Sequence, residues 1–129
     1  MKAKFSTHWK KSKQPRKQRK YRFNAPLHVK QKFMHARLSK ELQKKHARKT
    51  FSLKKGDKVK VIRGQFKKHE NKVEKVDLKK CKVVITGIEV TKKDGNKTNY
   101  LIHPSNLIIT ELNMDDKMRE KKLNRDKNV

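Results

Sequence analysis

The chain has 129 residues, enough for one compact domain with extensions, and it carries a formal net charge of +27. Only 32% of its residues are hydrophobic, so the whole chain cannot pack around one core, and part of it must be disordered alone or fold against a partner. Such a charge predicts an anionic partner, either nucleic acid or a membrane surface. Because the chain lacks long apolar runs, we expect no membrane span and no secretory signal, and therefore a cytosolic location.

The positive charge lies mainly in the first part of the chain. Residues 1–50 contain 18 Lys and Arg and one acidic residue, residues 51–110 contain 15 and six, and residues 111–129 contain six and five. This asymmetry is typical of a basic arm followed by a moderately basic domain and a nearly neutral tail. The predicted division is a basic extended N-terminal arm at 1–24, short basic helices at 25–50, a folded domain at 51–112 and a charged C-terminal tail at 113–129.

The basic arm is predicted to be an extended segment without a core of its own. Its Lys and Arg residues are interspersed with Trp9, Tyr21 and Phe23, and no helical or strand-like hydrophobic period runs through it. Lys and Arg neutralise phosphates, while planar aromatic and guanidinium groups stack on unpaired bases. The pattern therefore favours RNA contact over a merely solvated basic tail.

Two short basic helices are predicted after the arm. Asn24 is a good N-cap ahead of Pro26, which the first turn of a helix tolerates, and Ser39 provides a second N-cap. The expected helices cover residues 25–36 and 39–47 and share a narrow apolar stripe that should pack on the domain. Their basic face should meet RNA. The stripe consists of Val29, Phe33, Met34, Leu38 and Leu42.

The segment 53–109 has the composition of β-strands. Lys58–Arg63 alternates apolar and basic residues, as a half-buried strand does, and Asp94-Gly95 is a typical hairpin turn. About five or six short strands separated by turns predict a small barrel. After it, residues 115–127 are expected to form a short exposed helix. The expected core consists of Val59, Val61, Val73, Val76, Val83, Ile85, Ile88, Ile102, Leu107 and Ile109.

One part of this domain resembles a KOW motif. Gly56-Asp57 precedes the alternating strand, and Gly64 ends it. A basic loop with Phe66-Lys67 then leads into a second strand at Lys72-Val73. The motif occurs in ribosomal proteins, transcription elongation factors and some RNA helicases. The resemblance implies a mainly β fold class, a small SH3-like barrel (KOW domain) with a basic N-terminal arm, two short helices and a charged C-terminal tail.

Further segments narrow the resemblance to one family. Phe23–His28 together with Leu38–Leu42 resembles its N-terminal signature, and Ile102–Leu107 resembles its C-terminal signature. The family is that of the universal large-subunit ribosomal protein L twenty-four, called L twenty-six in eukaryotes. Gln14–Lys20 is more similar to the archaeal members than to the eukaryotic ones. The resemblance covers roughly residues 14–112, with its motifs in the expected order.

The sequence departs from the family pattern in the loop between the first two predicted strands. Lys68 and Asn71 stand where the family usually has glycine. Because Asn adopts the left-handed backbone more readily than other non-glycine residues, we expect Asn71 to preserve the turn. Lys68 puts a positive charge where a small residue is usual.

The resemblance implies a structural protein of the large ribosomal subunit that binds the 5′ region of large-subunit rRNA, lies near the polypeptide tunnel exit and supports early assembly. Its expected partners are large-subunit rRNA and neighbouring ribosomal proteins, with no membrane, small-molecule substrate or cofactor. Most contacts should be to phosphate and sugar, because folded rRNA is read mainly by shape. The residues that the resemblance places at RNA are Arg16, Lys17, Arg19, Lys20, Arg22, His28, Lys30, Arg37, Arg63, Lys67, Lys68 and His103.

No catalytic or metal site is predicted. The six His residues are scattered, and the single cysteine, Cys81, excludes an internal disulfide and a cysteine cluster for zinc. The glycine spacing around Lys54–Asp57 is not that of a phosphate-binding loop. We therefore expect that the chain is not an enzyme.

Two other classes of protein share some of these features. A transcription elongation factor or a free RNA chaperone would share the KOW module but would not explain the segments 24–42 and 103–106. A cationic membrane-surface protein would explain the charge, but it needs a continuous apolar helix face, and the stripe here is narrow and interrupted at Ser39. Retention on the large subunit at moderate salt would distinguish a ribosomal protein from a factor that washes off.

Overall fold

The computed structural model describes residues 5–125, which form mainly a seven-stranded β-sheet with four short α-helices. The helices are α1 (Pro15–Asn24), α2 (Leu27–Phe33), α3 (Lys40–His46) and α4 (Lys117–Asn124). The strands are β1 (His35–Leu38), β2 (Thr50–Ser52), β3 (Lys58–Val61), β4 (Glu70–Asp77), β5 (Lys82–Thr91), β6 (Lys97–Ile102) and β7 (Leu107–Glu111). A short 3₁₀ turn covers Pro104–Asn106 between β6 and β7.

The strands follow the order β2-β1-β7-β3-β4-β5-β6 across the sheet. β1 and β7 are parallel, with Arg37 opposite Ile108, and the other neighbouring pairs are antiparallel. Within the described residues the edge strands β2 and β6 do not pair with each other, so hydrogen bonds do not close the sheet into a barrel. The mainly β fold class predicted for a small KOW domain is confirmed.

The hydrophobic core is larger than strand alternation predicts. All the predicted core residues are buried except Val76, which is partly exposed and packs against the core. The sequence pattern did not predict β1 and β2. These two strands add residues from the segment 34–53, which precedes β3, to the core. The buried residues that these segments and their flanks add are Met34, Ala36, Leu38, Phe51 and Leu53.

The N-terminal arm contains a helix where its composition predicts an extended segment. α1 begins with Pro15, whose fixed φ suits the first helical position, and continues through Lys, Arg and Gln, which are good helix formers. The prediction of an extended arm over 1–24 is therefore wrong for Pro15–Asn24. Residues 1–4 of the predicted arm lie outside the described part of the chain.

The two predicted basic helices are present but shorter than expected. α2 ends at Phe33, and α3 begins after Ser39, whose side chain accepts a hydrogen bond of 3.4 Å from the Leu42 backbone N–H. Asn24 does not cap α2, because it is the last residue of α1 and Pro26 directly precedes α2. β1 lies between these helices and pairs with β2 and β7, so tertiary pairing overrides the helical spacing of the apolar stripe.

The loop between β3 and β4 has its left-handed residue at Lys68, not at Asn71. Lys68 has a φ of 74°, whereas Asn71 lies opposite Val59 in the sheet and has no positive φ. Two backbone hydrogen bonds of 2.9 Å close the loop, from Lys68 N–H to the Val61 carbonyl and from Val61 N–H to the His69 carbonyl. The expectation that Asn71 preserves the turn is therefore wrong, and a lysine occupies the conformation that favours glycine.

Replacing Lys68 with glycine should stabilise the protein. The left-handed backbone costs a lysine about 1–2 kcal/mol, and glycine removes this cost while losing about 0.5–1 kcal/mol more chain entropy on folding. We expect Lys68→Gly to raise the free energy of unfolding in urea by up to about 1 kcal/mol. The matched variant Lys67→Gly, at a neighbour without positive φ, should lower it. Equal effects of the two variants would contradict the assignment of strain to Lys68.

The C-terminal tail is docked on the domain. α4 forms within the segment predicted to be helical, but its side chains Arg119 and Leu123 are buried. Leu123 joins the hydrophobic core, and Arg119 forms a bidentate ion pair with the buried Asp57, with both N–O distances at 2.6 Å. The expectation of an exposed helix is therefore wrong, because two of its side chains complete the domain. Residues 126–129 lie outside the described part of the chain.

Candidate RNA interface

The predicted basic residues of the arm lie together on α1. Lys17 is half-buried because its ammonium group covers the Trp9 ring, 3.3 Å from the ring centroid. The helix contains no acidic residue, so its surface is uniformly positive. The other predicted side chains of this helix are exposed: Arg16, Arg19, Lys20 and Arg22.

A single glutamine fixes the turn that precedes α1. The side-chain amide of Gln18 donates to the backbone carbonyls of Trp9, Lys10 and Ser12, at 3.2, 3.1 and 2.7 Å. Together with the contact between Lys17 and the Trp9 ring, these bonds hold the turn against the helix. The exposed Trp9 therefore has a defined position relative to the cations of α1.

Aromatic contacts connect the arm to α2. The Phe5 and Tyr21 rings have centroids 5.2 Å apart, and the Tyr21 and Phe33 rings have centroids 6.2 Å apart. Both distances fall in the range of favourable aromatic pairs. The basic helix α1 is thus held by side-chain packing, which its polar composition does not predict.

The KOW loop between β3 and β4 is positioned by a cluster of rings. The Phe66 ring lies 5.8 Å from His69 and 5.1 Å from Tyr100, measured between centroids. Tyr100 belongs to β6, so this contact fixes the loop against the edge of the sheet. In the sequence, the only signal for this role was the presence of an aromatic residue, Tyr100, in a predicted strand. The predicted residues of the loop are exposed: Arg63, Lys67 and Lys68.

A second basic cluster lies where β6 turns into the 3₁₀ segment. The Nδ1 atom of His103 accepts a hydrogen bond of 3.2 Å from the Ser105 backbone N–H and lies 2.8 Å from the Ser105 hydroxyl. Burial and the charges of Lys82 and Arg22 hold the pKa of His103 below its ordinary value of 6.5. The fold thus brings together Arg22 and His103, two predicted residues on different elements, and adds Lys82, which no motif in the sequence singles out.

The lowered pKa predicts that the protein loses stability as His103 is protonated. The folded state binds this proton more weakly than the unfolded state. As the pH falls, His103 is therefore protonated near pH 6.5 in the unfolded chain and only at a lower pH in the folded protein. The free energy of unfolding should therefore decrease as the pH falls from 6.5 through the folded-state pKa. Urea denaturation above and below pH 6.5 should show a smaller decrease in His103→Gln than in the wild type. The control His8→Gln should match the wild type, and equal behaviour of all three proteins would contradict the assignment.

The remaining predicted residues lie on α2 and β1. His28 is exposed and lines a cavity of about 970 Å³ bordered by α2, β4 and α4, while Lys30 is half-buried. Arg37 is exposed between the buried Ala36 and Leu38, as strand alternation requires. The hydrogen bonds and ring contacts of residues 5–125 do not connect these three predicted residues to the basic residues of α1 or the KOW loop.

The predicted contact residues are not neutralised by carboxylates of the described chain. None of them takes part in an ion pair within residues 5–125, so the charges of the Lys and Arg residues among them are available to an external anion. The ion pairs in this part of the chain join Lys54 to Asp116, Lys58 to Glu70 and Glu111, Lys97 to Glu89, and Arg119 to Asp57.

The chain is similar to known proteins over most of its length. The family model for eukaryotic ribosomal proteins L26 and their archaeal L24 counterparts matches residues 12–126. This chain belongs to that family. It is 53% identical over 110 residues to the large ribosomal subunit protein uL24 of Methanothrix thermoacetophila, covering 85% of this chain and 95% of the relative. The protein of the same name from Methanosphaera stadtmanae is 47% identical over 114 residues, covering 88% and 97%.

Membership of the ribosomal L26 family confirms the resemblance drawn from the KOW motif and its flanking signatures. The family consists of ribosomal proteins and not of enzymes, which agrees with the expectation from the sequence. In the described part of the chain, no helix is long and apolar enough to cross a membrane. Residues 5–125 also contain no group of three or more His, Cys, Asp or Glu side chains placed to hold a metal ion.

Proposed function

We propose that this member of the ribosomal L26 family is a structural component of the large ribosomal subunit in the cytoplasm, where it binds large-subunit rRNA and neighbouring ribosomal proteins. Its relatives carry the name of a large-subunit protein. The observation that carries the RNA-binding part is the set of cations without carboxylate partners within residues 5–125, on α1, on the KOW loop and at Lys82 beside the His103 turn. RNA phosphates would neutralise this charge, which otherwise opposes folding.

The two parts of the molecule would contact rRNA in different ways. The small sheet is a rigid support for the KOW loop and the His103 turn, which would dock on the RNA surface through phosphate and sugar contacts. α1 is a single narrow helix with exposed positive charges, and it would enter between rRNA helices. Phosphates near His103 would favour its protonated form and oppose the effect of Lys82 and Arg22 on its pKa.

We further propose that the protein binds the 5′ region of large-subunit rRNA, near the polypeptide tunnel exit, and that it does so early in subunit assembly. A protein that joins the first rRNA helices must recognise them without the rest of the subunit. The combination of a preformed domain and a strongly basic arm suits this role, because the domain sets the orientation while the arm adds affinity.

Titration of two rRNA fragments tests the proposal. Transcripts of equal length from the 5′ and 3′ regions of large-subunit rRNA would be titrated with the full chain at several salt concentrations. We expect the 5′ fragment to bind more than about tenfold tighter, with an affinity that falls steadily as salt increases. Equal affinities would reject the 5′ assignment, and the absence of binding to both fragments would reject the RNA-binding function.

A further inference from the structure

A cavity of about 520 Å³ lies between α1 and residues 5–9 of the N-terminal arm. This volume falls in the range of roughly 300–1,000 Å³ that is usual for small-ligand pockets. Its walls combine aromatic and basic side chains, which are Phe5, Trp9, Tyr21, Arg16, Lys17 and Lys20. The cavity therefore offers planar apolar surfaces beside positive charges.

We propose that this cavity binds one unpaired nucleotide of RNA, with its base against the aromatic side chains and its phosphate near Arg16 and Lys20. The inference rests on the proposed RNA-binding function and adds to it a defined site for a single base. It assigns a role to the aromatic residues of the arm, whereas the cations alone would account for contact with phosphates.

The aromatic part of the site is preorganised. Trp9 is 54% exposed, yet its backbone is held by Gln18 and its ring by Lys17, 3.3 Å from the centroid. Tyr21 is half-buried, and its ring contacts those of Phe5 and Phe33, with centroids 5.2 and 6.2 Å away. An exposed aromatic surface with a fixed position is suited to base stacking, because little side-chain entropy remains to be lost on binding.

The charges of the site favour an anionic ligand. Arg16 and Lys20 are four residues apart on α1 and so lie on the same face of the helix. No carboxylate of residues 5–125 lines the cavity, and the first acidic residue of the chain is Glu41. The Asn24 side chain at the cavity wall has both donor and acceptor groups that match the edge of a base. A planar ring attached to a phosphate satisfies all of these features.

The fluorescence of Trp9 reports directly on the site, because it is the only tryptophan of the chain. The full chain would be titrated with short single-stranded oligoadenylate, with inorganic polyphosphate of similar charge and with oligoglutamate. We expect oligoadenylate to quench Trp9 and to bind on the order of tenfold tighter than polyphosphate, because a stacked base adds to the electrostatic attraction. Equal quenching by polyphosphate would overturn the proposal, and equal quenching by oligoglutamate would point to an acidic peptide instead.

Variants of α1 separate stacking from charge. Tyr21→Ala changes no charge and should weaken oligoadenylate binding on the order of tenfold, while Tyr21→Phe should retain it. The matched control Leu27→Ala removes an apolar side chain that is 53% exposed and does not line the cavity, and it should bind as the wild type does. Equal losses in Tyr21→Ala and Leu27→Ala would overturn the site. If circular dichroism shows that Tyr21→Ala disrupts α1, two other variants still test the nucleotide site. Tyr21→Phe should retain oligoadenylate binding, and Arg16→Gln should weaken it.

Binding of the same variants to large-subunit rRNA distinguishes failure of the site from failure of the proposed function. If the wild type binds rRNA but oligoadenylate leaves Trp9 fluorescence unchanged, the nucleotide site is wrong and the function stands. If the wild type does not bind rRNA, the proposed function fails and the inference fails with it.

Discussion

Replacing Arg119 with methionine should lower the free energy of unfolding by about 3–5 kcal/mol. The guanidinium group forms two hydrogen bonds of 2.6 Å with Asp57, and both side chains are almost fully buried. It also donates to the backbone carbonyls of Asn113 and Ser52, at 2.7 and 2.9 Å. The substitution leaves the Asp57 carboxylate buried without its cation, which is the main cause of the expected loss. Urea denaturation of the full chain measures it.

The matched control for Arg119→Met is Lys121→Met, which removes an exposed lysine from the same helix. Its free energy of unfolding should stay within about 0.5 kcal/mol of the wild type. Asp57→Asn should be strongly destabilising like Arg119→Met, because it leaves the guanidinium charge buried without a counterion. Similar small losses in Arg119→Met and Lys121→Met would show that α4 does not dock on the domain as described.

Neutralising α1 should have the largest effect on RNA binding. Each cation that contacts a phosphate contributes roughly 0.7–0.9 to the slope of log affinity against log salt concentration. Replacing all five α1 cations with glutamine should therefore reduce that slope by about 4 and weaken binding to the 5′ rRNA fragment by about a hundredfold to a thousandfold near physiological salt. The residues to be replaced are Arg16, Lys17, Arg19, Lys20 and Arg22.

A control variant with the same change in net charge distinguishes contact from general electrostatic attraction. It replaces five exposed lysines outside the predicted interface with glutamine and should lose much less affinity than the α1 variant. Gel-shift titrations at several salt concentrations compare the two proteins. Equal losses would show that the protein binds RNA through its net charge and not through α1. The control residues are Lys79, Lys80, Lys92, Lys93 and Lys121.

The β-domain was predictable because its signal is local. Alternation places Val59 and Val61 in the core and leaves Lys60 exposed, and this is the burial that the structure shows. β1 and β2 lacked such a signal, because each is only a few residues long and the apolar residues Met34, Leu38 and Leu42 fit a helical spacing equally well. β1 is a strand because β2 and β7 pair with it, and this pairing is not encoded within the segment itself.

The docked tail and the candidate site depend on contacts between distant residues. Asp57 and Arg119 are 62 residues apart, and each lies in a segment whose local sequence contains several other charges. Nothing local distinguishes Arg119 from the exposed lysines around it. The cations of α1 were identified from composition and family resemblance, but the proximity of Arg22 to His103 follows only from the folded chain.

Sedimentation of a cell lysate through sucrose gradients at increasing salt tests the central claim most directly. The protein would be followed by immunoblotting and compared with an established large-subunit protein in each fraction. Stoichiometric migration with the large subunit that persists at moderate salt is the result predicted for a structural component. A protein that stays at the top of the gradient, or leaves with the first salt step, would contradict the account and indicate a transient KOW-containing factor.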